Sequence, residues 1–186
     1  DSERSRGLGD VYKRQIGCSS TNTKYGKRLD TAVVELNTKA NVSGLFTSNK
    51  FKSAPVQVCL DQFKKKMHGK KMLIVNAGNA NAATGKKGVE DTKKLIKNIS
   101  NLSGIEFNQI LPFSTGVVGE LLDMESLVPA FKDCIKNLSK NTWSDFAKAI
   151  MTTDTDHKMV KHEVKIGSKK FKIIGIAKGV GMIEPN

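Results

Sequence analysis

The groups in this chain that could do chemistry are concentrated in short stretches of small residues. Four such stretches, read as loops leaving strands or helices, combine hydroxyl or amide side chains with small neighbours: Phe46-Thr-Ser-Asn49 with Ala54-Pro-Val56, Asn76-Ala-Gly-Asn-Ala-Asn81, Ser114-Thr-Gly-Val117, and Met151-Thr-Thr-Asp-Thr155. A fifth stretch, Lys178-Gly-Val-Gly-Met-Ile-Glu-Pro-Asn186, adds a cation to glycine. Three familiar chemistries fail on spacing. A phosphate loop around Gly85-Lys86 needs glycine where Ala80 stands and a hydroxyl where Lys87 stands, because backbone amides must wrap the phosphate and a hydroxyl must meet magnesium. A dinucleotide fingerprint on Gly179 and Gly181 would need its third glycine at Glu184. Asp154, Asp156 and His157 could approach a cation, but a calcium loop would need Asp or Asn at Lys158 and Gly at Met159. That segment reads as a solvated polar loop, and His68 and His162 read as surface residues.

The elements that must carry these stretches alternate between strand and helix. Thr31–Leu36 is β-branched and bounded by polar residues, and Lys71–Asn76 has a continuous apolar centre, so both predict strands, the second buried on both faces. Asp91–Ile99 places Leu95, Ile96 and Ile99 on one helical face with lysines opposite. Gln109–Phe113 predicts a short strand running into a loop over Ser114–Gly119. Pro129–Leu138 predicts a helix with the proline in its first turn. Thr142-Trp-Ser-Asp145 has the form of a capping box opening a helix through Ile150. Two strands, His162–Ile166 and Phe171–Ala177, meet at Gly167-Ser168, a hairpin signal. The fold class is α/β with a mixed sheet.

Composition excludes more than it assigns. The 186 residues are enough for a real core, and no apolar run approaches the roughly 18 to 20 residues of a membrane span. Cys18, Cys59 and Cys134 are widely spaced without a CxxC pair, which argues against a disulfide scaffold or zinc site and favours a reducing compartment. The net charge of +13 raises the question of nucleic acid. Polyanion binding wants lysines on one face with aromatics to stack on bases. The clusters Lys64-Lys65-Lys66, Lys70-Lys71, Lys86-Lys87, Lys93-Lys94 and Lys169-Lys170 instead fall on expected helix exteriors and turns, as a solvated surface would have them. Arginine is uneven: Arg4, Arg6 and Arg14 lie in residues 1–15, whereas residues 16–186 hold one arginine, Arg28, and 26 lysines. Residues 1–15 also lack apolar periodicity and are set apart as a foreign or disordered leader, leaving 16–186 as one domain. The sequence stops after a strand and an uncapped tail, without an element that closes the domain.

In order, NAGNAN, STGV, AIMTTDT and the AKGVGMI-x-PN tail resemble the ornithine acetyltransferase family, the bifunctional glutamate N-acetyltransferases of arginine biosynthesis. The resemblance runs from about Gly17 to Asn186. It implies a mixed-sheet layered α/β/β/α sandwich and a precursor that cuts itself before a threonine into an α and a β chain. In the family the Pro-Asn pair is followed by Met-Ala-Thr, so the cut would lie just past Asn186. This sequence would then be the α side, needing its β chain, in an α2β2 heterotetramer. The freed threonine would be the nucleophile, its own α-amine acting as base.

Attack on the acetyl carbonyl of N-acetylornithine puts negative charge on oxygen, which needs fixed donors. The resemblance assigns these to Thr115 and Gly116. Ornithine leaves and glutamate enters, so ping-pong kinetics are implied. Both substrates carry an α-carboxylate, which the resemblance gives to Lys178 and to a threonine of Met151–Thr155: Thr152, with Thr153 and Thr155 as alternatives. Asn76, Asn79 and Asn81 are expected to brace the loop by side-chain-to-backbone bonds. Val180 stands where a small residue is commoner in the family, and with Glu184 it leaves self-processing open. The expected enzyme is cytoplasmic and uses no cofactor, metal, nucleic acid or membrane; acetyl-coenzyme A stays open as a second donor substrate. The competing readings are a lysine-rich nucleic-acid-binding domain and an inactive fragment.

Overall fold

Aliphatic and β-branched runs pair into the sheet that organises the chain. The computed structural model describes residues 16–179, so the leader over 1–15, the processing point past Asn186, Val180 and Glu184 all lie outside the described residues. Strands β1 (Ile16–Ser19), β2 (Thr31–Leu36), β3 (Lys71–Asn79) and β4 (Ile110–Val117) form one sheet in that order. β1 and β3 both run antiparallel to β2, and β4 runs parallel to β3. The sheet is mixed, as the alternation of elements predicts. The parallel pair needs a long crossover, and helix α2 (Gly85–Ser103) is in it.

One face of the sheet carries the main core. Val33, Met72, Ile74 and Ile110 meet Val58 of α1 (Ala54–Phe63), Leu95, Ile96 and Ile99 of α2, and Phe131 of α3 (Met124–Lys136). Side chains alternate across a strand, so the intervening residues face the other way. There Ile16, Cys18, Ala32 and Val34 pack with Ala149, Trp143 and Phe146 of α4 (Trp143–Ala149). Strands β5 (Lys158–Ile166) and β6 (Lys169–Ala177) make a separate antiparallel hairpin. Gly17 lets β1 lie directly on α3: a Cβ there would stand 1.8 Å from the Cys134 carbonyl oxygen. Among the described residues no helix is long and apolar enough to cross a membrane.

The structure departs from the sequence expectations at element ends and adds two unexpected elements, β1 and α1. Ala54-Pro-Val56 is not a loop but the first turn of α1, where Pro55 loses nothing because its missing N–H would have no helical partner. Strand β4 continues through Val117, so most of the expected loop Ser114–Gly119 is ladder, extended by the parallel register Asn76↔Ser114, Ala77↔Thr115 and Gly78↔Gly116. Helix α3 begins at Met124, not Pro129, because Asp123 accepts the N–H groups of Glu125 and Ser126; the proline therefore sits inside the helix. Lys71 is buried rather than solvated, its Nζ donating to the Gly69 carbonyl at 2.9 Å. The capping box of Thr142 and Asp145 and the hairpin turn at Gly167 form as expected.

Candidate functional site

The sheet places its polar residues where β3 and β4 leave the apolar core. Buried Asn76 accepts the Ser114 hydroxyl at 2.6 Å and donates to the Asn79 carbonyl at 2.9 Å. Asn79 in turn donates to the carbonyls of Glu120 and Leu121 and accepts the Asn81 N–H at 2.7 Å. Asn81, fully buried, bonds Gly88 and Thr92 of α2. The three asparagines thus brace the ends of β3 and β4, as expected of them.

Braced in this way, β4 turns Thr115 toward the face away from the main core, beside Phe113 and the Ala77 that pairs with it. Gly116 follows at φ +134°, and a Cβ on it would stand 2.3 Å from the Gly78 carbonyl carbon. No other residue fits there: a side chain would meet fixed backbone, and that φ is open chiefly to glycine.

Two distant segments converge on Thr115. Lys178, at the end of β6, donates from Nζ to Thr115 Oγ1 at 2.7 Å and to Thr152 Oγ1 at 3.0 Å. Of the threonines in Met151–Thr155, Thr152 is the one turned to the lysine; Thr153 and Thr155 are exposed. Three of the four expected site residues are thereby joined through one ammonium, and Gly116 adjoins the first of them. Beside the cluster lies an open cavity of about 350 Å³ with an apolar wall of Leu73, Val75, Phe113, Phe146 and Ile150. It is of the size and make-up that binds small molecules: mostly apolar, with a few convergent polar groups.

Two residues that the sequence did not assign to the site hold the cluster in place. Asp154, expected in a solvated loop, is buried. Its Oδ1 accepts the Gly179 N–H at 2.7 Å and Lys158 Nζ at 2.8 Å, and its Oδ2 accepts the Thr152 N–H at 3.2 Å. Burial by itself would raise this carboxyl, but the bonds from Lys158, Gly179 and Thr152 outweigh it and hold Asp154 well below the ordinary carboxylate range. Asp156 and His157 are exposed, and the described residues contain no cluster of three or more metal-ligating side chains. On the other side of the loop, Arg28 donates to the Met151 carbonyl at 2.8 Å and the Thr152 carbonyl at 3.3 Å while its guanidinium lies 3.8 Å over the Tyr25 ring. The only sign of Arg28 in the sequence is its rarity. Nothing in the sequence separates Asp154 from a solvated acid, because its partners Gly179 and Lys158 reach it only through the fold.

Chemically, the cluster presents two hydroxyls, an ammonium and a glycine peptide next to a small apolar cavity. Neither hydroxyl has a base beside it to activate it as a nucleophile: Asp154 is already bonded, and no carboxylate pairs with Lys178 among the described residues. The arrangement can hold and stabilise anionic oxygen, and a carboxylate or carbonyl group is what it suits.

Comparison with known proteins agrees along the whole described chain. The model described as the ArgJ family matches residues 15–186. The arginine biosynthesis bifunctional protein ArgJ of Colwellia psychrerythraea is 40% identical over 188 residues, covering 96% of this chain but 44% of that protein, so the chain spans less than half of that relative. The crystal structure of the arginine biosynthesis bifunctional protein argJ from Bacillus halodurans matches with a TM-score of 0.78 at 30% identity, over 93% of this chain and 91% of the solved one. Ornithine acetyltransferase from Mycobacterium tuberculosis, solved in complex with ornithine, matches with a TM-score of 0.75 at 25% identity, over 92% of this chain and 91% of the other.

Proposed function

The chain belongs to the ArgJ family, and from that membership we propose that it is the α chain of a glutamate N-acetyltransferase, moving acetyl from N-acetylornithine to glutamate in arginine biosynthesis. The observation that carries this reading is the convergence of Thr115, Thr152 and Lys178 on one cavity wall, from segments 63 and 26 residues apart. Two hydroxyls and a cation with no activated nucleophile among them are half of an acyl-transfer site. The other half is a threonine released at the start of a β chain. Its α-amine takes the hydroxyl proton as the oxygen attacks the acetyl carbon, and Thr115 and Gly116 hold the oxyanion. The C–N bond then breaks and ornithine leaves with a proton; glutamate's amine next attacks the acyl-threonine ester. Thr152 and Lys178 receive the substrate carboxylate.

Coverage supports the division into two chains: the sequence spans 44% of one full-length relative yet 91% of each solved chain. So does the surface. Phe113, Phe171 and Ile173 stay 43%, 45% and 55% exposed, and Val160 and Ile166 more so, on sheet faces suited to a β chain that completes the α/β/β/α sandwich within an α2β2 assembly. The three cysteines are free, without a disulfide, as in a protein of a reducing cytoplasm. Self-cleavage past Asn186 belongs to the same proposal.

The test is to produce this chain together with the C-terminal half and supply N-acetylornithine with glutamate. Transfer with a double-displacement pattern, and an acetyl adduct on the first residue of the β chain, is the expected result. A folded assembly that transfers nothing but binds nucleic acid with steep salt dependence would move the reading to the basic binding domain.

A further inference from the structure

Proton inventory assigns directions within the polar cluster. A lysine ammonium has three N–H donors and no acceptor, whereas a threonine hydroxyl has one O–H and two lone pairs. Nζ of Lys178 is therefore the donor to both Thr115 Oγ1 at 2.7 Å and Thr152 Oγ1 at 3.0 Å. Each hydroxyl spends a lone pair on the lysine and keeps its own proton for whatever enters the cavity. A hydroxyl that accepts from a cation is also a stronger donor, because the charge polarises its O–H bond.

We propose that Lys178 is a positioning residue for the acetyl-transfer step: through its bond to Thr115 it aims and polarises the hydroxyl that stabilises the oxyanion, beyond any part it has in receiving a carboxylate. The inference rests on the acetyl-transfer reading above. As the nucleophile's oxygen bonds to the acetyl carbon, the carbonyl π pair moves onto oxygen. The Thr115 proton stays on Thr115 and the ammonium keeps its three, so no proton has to move for the charge to be met. Three features suit Lys178 to this work. Its following peptide is pinned by the Gly179 N–H bond to Asp154 at 2.7 Å, which limits where Nζ can go. The Asp154 carboxylate is engaged by Lys158, Gly179 and Thr152 and does not draw the ammonium away. Buried Val75 and Ile150 line the cavity beside Lys178, so on that side the charge acts on Thr115 with less screening than in bulk water.

Two acetyl donors separate the roles, used with the assembled α and β halves. N-acetylornithine carries an α-carboxylate; p-nitrophenyl acetate carries none. If Lys178 only received the carboxylate, Lys178→Met would raise KM for N-acetylornithine and spare the ester. The expected result is a kcat lower by roughly 10- to 100-fold for both donors. Adding Lys178→Met to Thr115→Ala should then cost little more, since the two act on one hydroxyl. Lys178→Met with unaltered near-ultraviolet circular dichroism and a full rate on p-nitrophenyl acetate overturns the inference while leaving acetyl transfer standing. Should that variant fail to fold, Lys178→Gln, which keeps an N–H donor but removes the charge, is expected to lower kcat for both donors; a full rate on the ester overturns the inference equally. Unmodified protein that transfers acetyl from neither donor overturns the acetyl-transfer reading and this inference with it.

Discussion

The carboxylate of Asp154 accepts the backbone N–H of Gly179 at 2.7 Å, and this bond ties the loop after α4 to the residue that follows Lys178. The same carboxylate holds the Thr152 N–H, so one buried acid sets the spacing between the two groups that meet at the cavity. Asp154→Ala leaves the half-buried N–H groups of Thr152 and Gly179 without their partner and should cost about 1–3 kcal/mol. Urea unfolding measures this. A shift in midpoint much smaller than that would mean the loop is held elsewhere.

Acid should find the same residue. Burial opposes the charged form of Asp154, but its bonds from Lys158, Gly179 and Thr152 hold the folded carboxyl below its unfolded value of about 3.9. A depressed acid contributes stability above the unfolded value and loses it as pH falls through the folded one. Unfolding free energy should therefore drop below about pH 4, and less steeply in Asp154→Asn. Asp30 works in the other direction: burial, ahead of its bonds from Thr21 and the charge of Arg28, raises its carboxyl. Comparing the two proteins at each pH removes the Asp30 contribution. Parallel profiles would exclude Asp154 as the source.

Thr115→Ala removes the hydroxyl proposed to meet the oxyanion. In the assembled enzyme kcat should fall by roughly 10²–10³ with KM little changed. Steady-state kinetics decide it, and an unaltered kcat would take Thr115 out of that role.

Gly116→Ala should fail in folding before it fails in catalysis. At φ +134° the new Cβ would press to 2.3 Å on the Gly78 carbonyl carbon, which is backbone and cannot rotate aside. A loss of about 3 kcal/mol or more is expected from strain and overpacking together. Thermal unfolding of the purified variant tests it; an unchanged midpoint would mean that β3 and β4 can part without cost.

Arg28→Lys keeps the charge but cannot reach both the Met151 and Thr152 carbonyls while lying flat on Tyr25. The expected cost is about 1–2 kcal/mol of stability. Faster amide hydrogen exchange should be confined to residues 151–155. Uniform exchange across the chain would point to a global effect instead.

Local signals carried well into three dimensions where the physics is local. The capping box at Thr142 joins groups three residues apart, and the Gly167-Ser168 turn joins neighbours, so both can be read without knowing the rest of the chain. The apolar centre of Lys71–Asn76 likewise marks a strand covered on both faces. Pro129 shows the limit: it fits a first turn, but Asp123 caps the helix earlier, and helix starts are set by whichever cap the packing accepts. The order of the small-residue stretches was enough to point to the family, and with it to Thr115, Gly116 and Lys178. Which threonine of Met151–Thr155 meets the lysine was not legible, because their hydroxyls are chemically the same and only side-chain direction separates them. Nor was Asp154, which reads as a solvated acid until the end of β6 covers it. The sequence by itself determined the strands β2 and β3, the cap at Thr142 and the kinds of group available. Tertiary structure alone decided that Lys178 stands 2.7 Å from a hydroxyl 63 residues away and that Asp154 is buried, because distance and desolvation depend on elements far apart in the chain and on no single stretch of it.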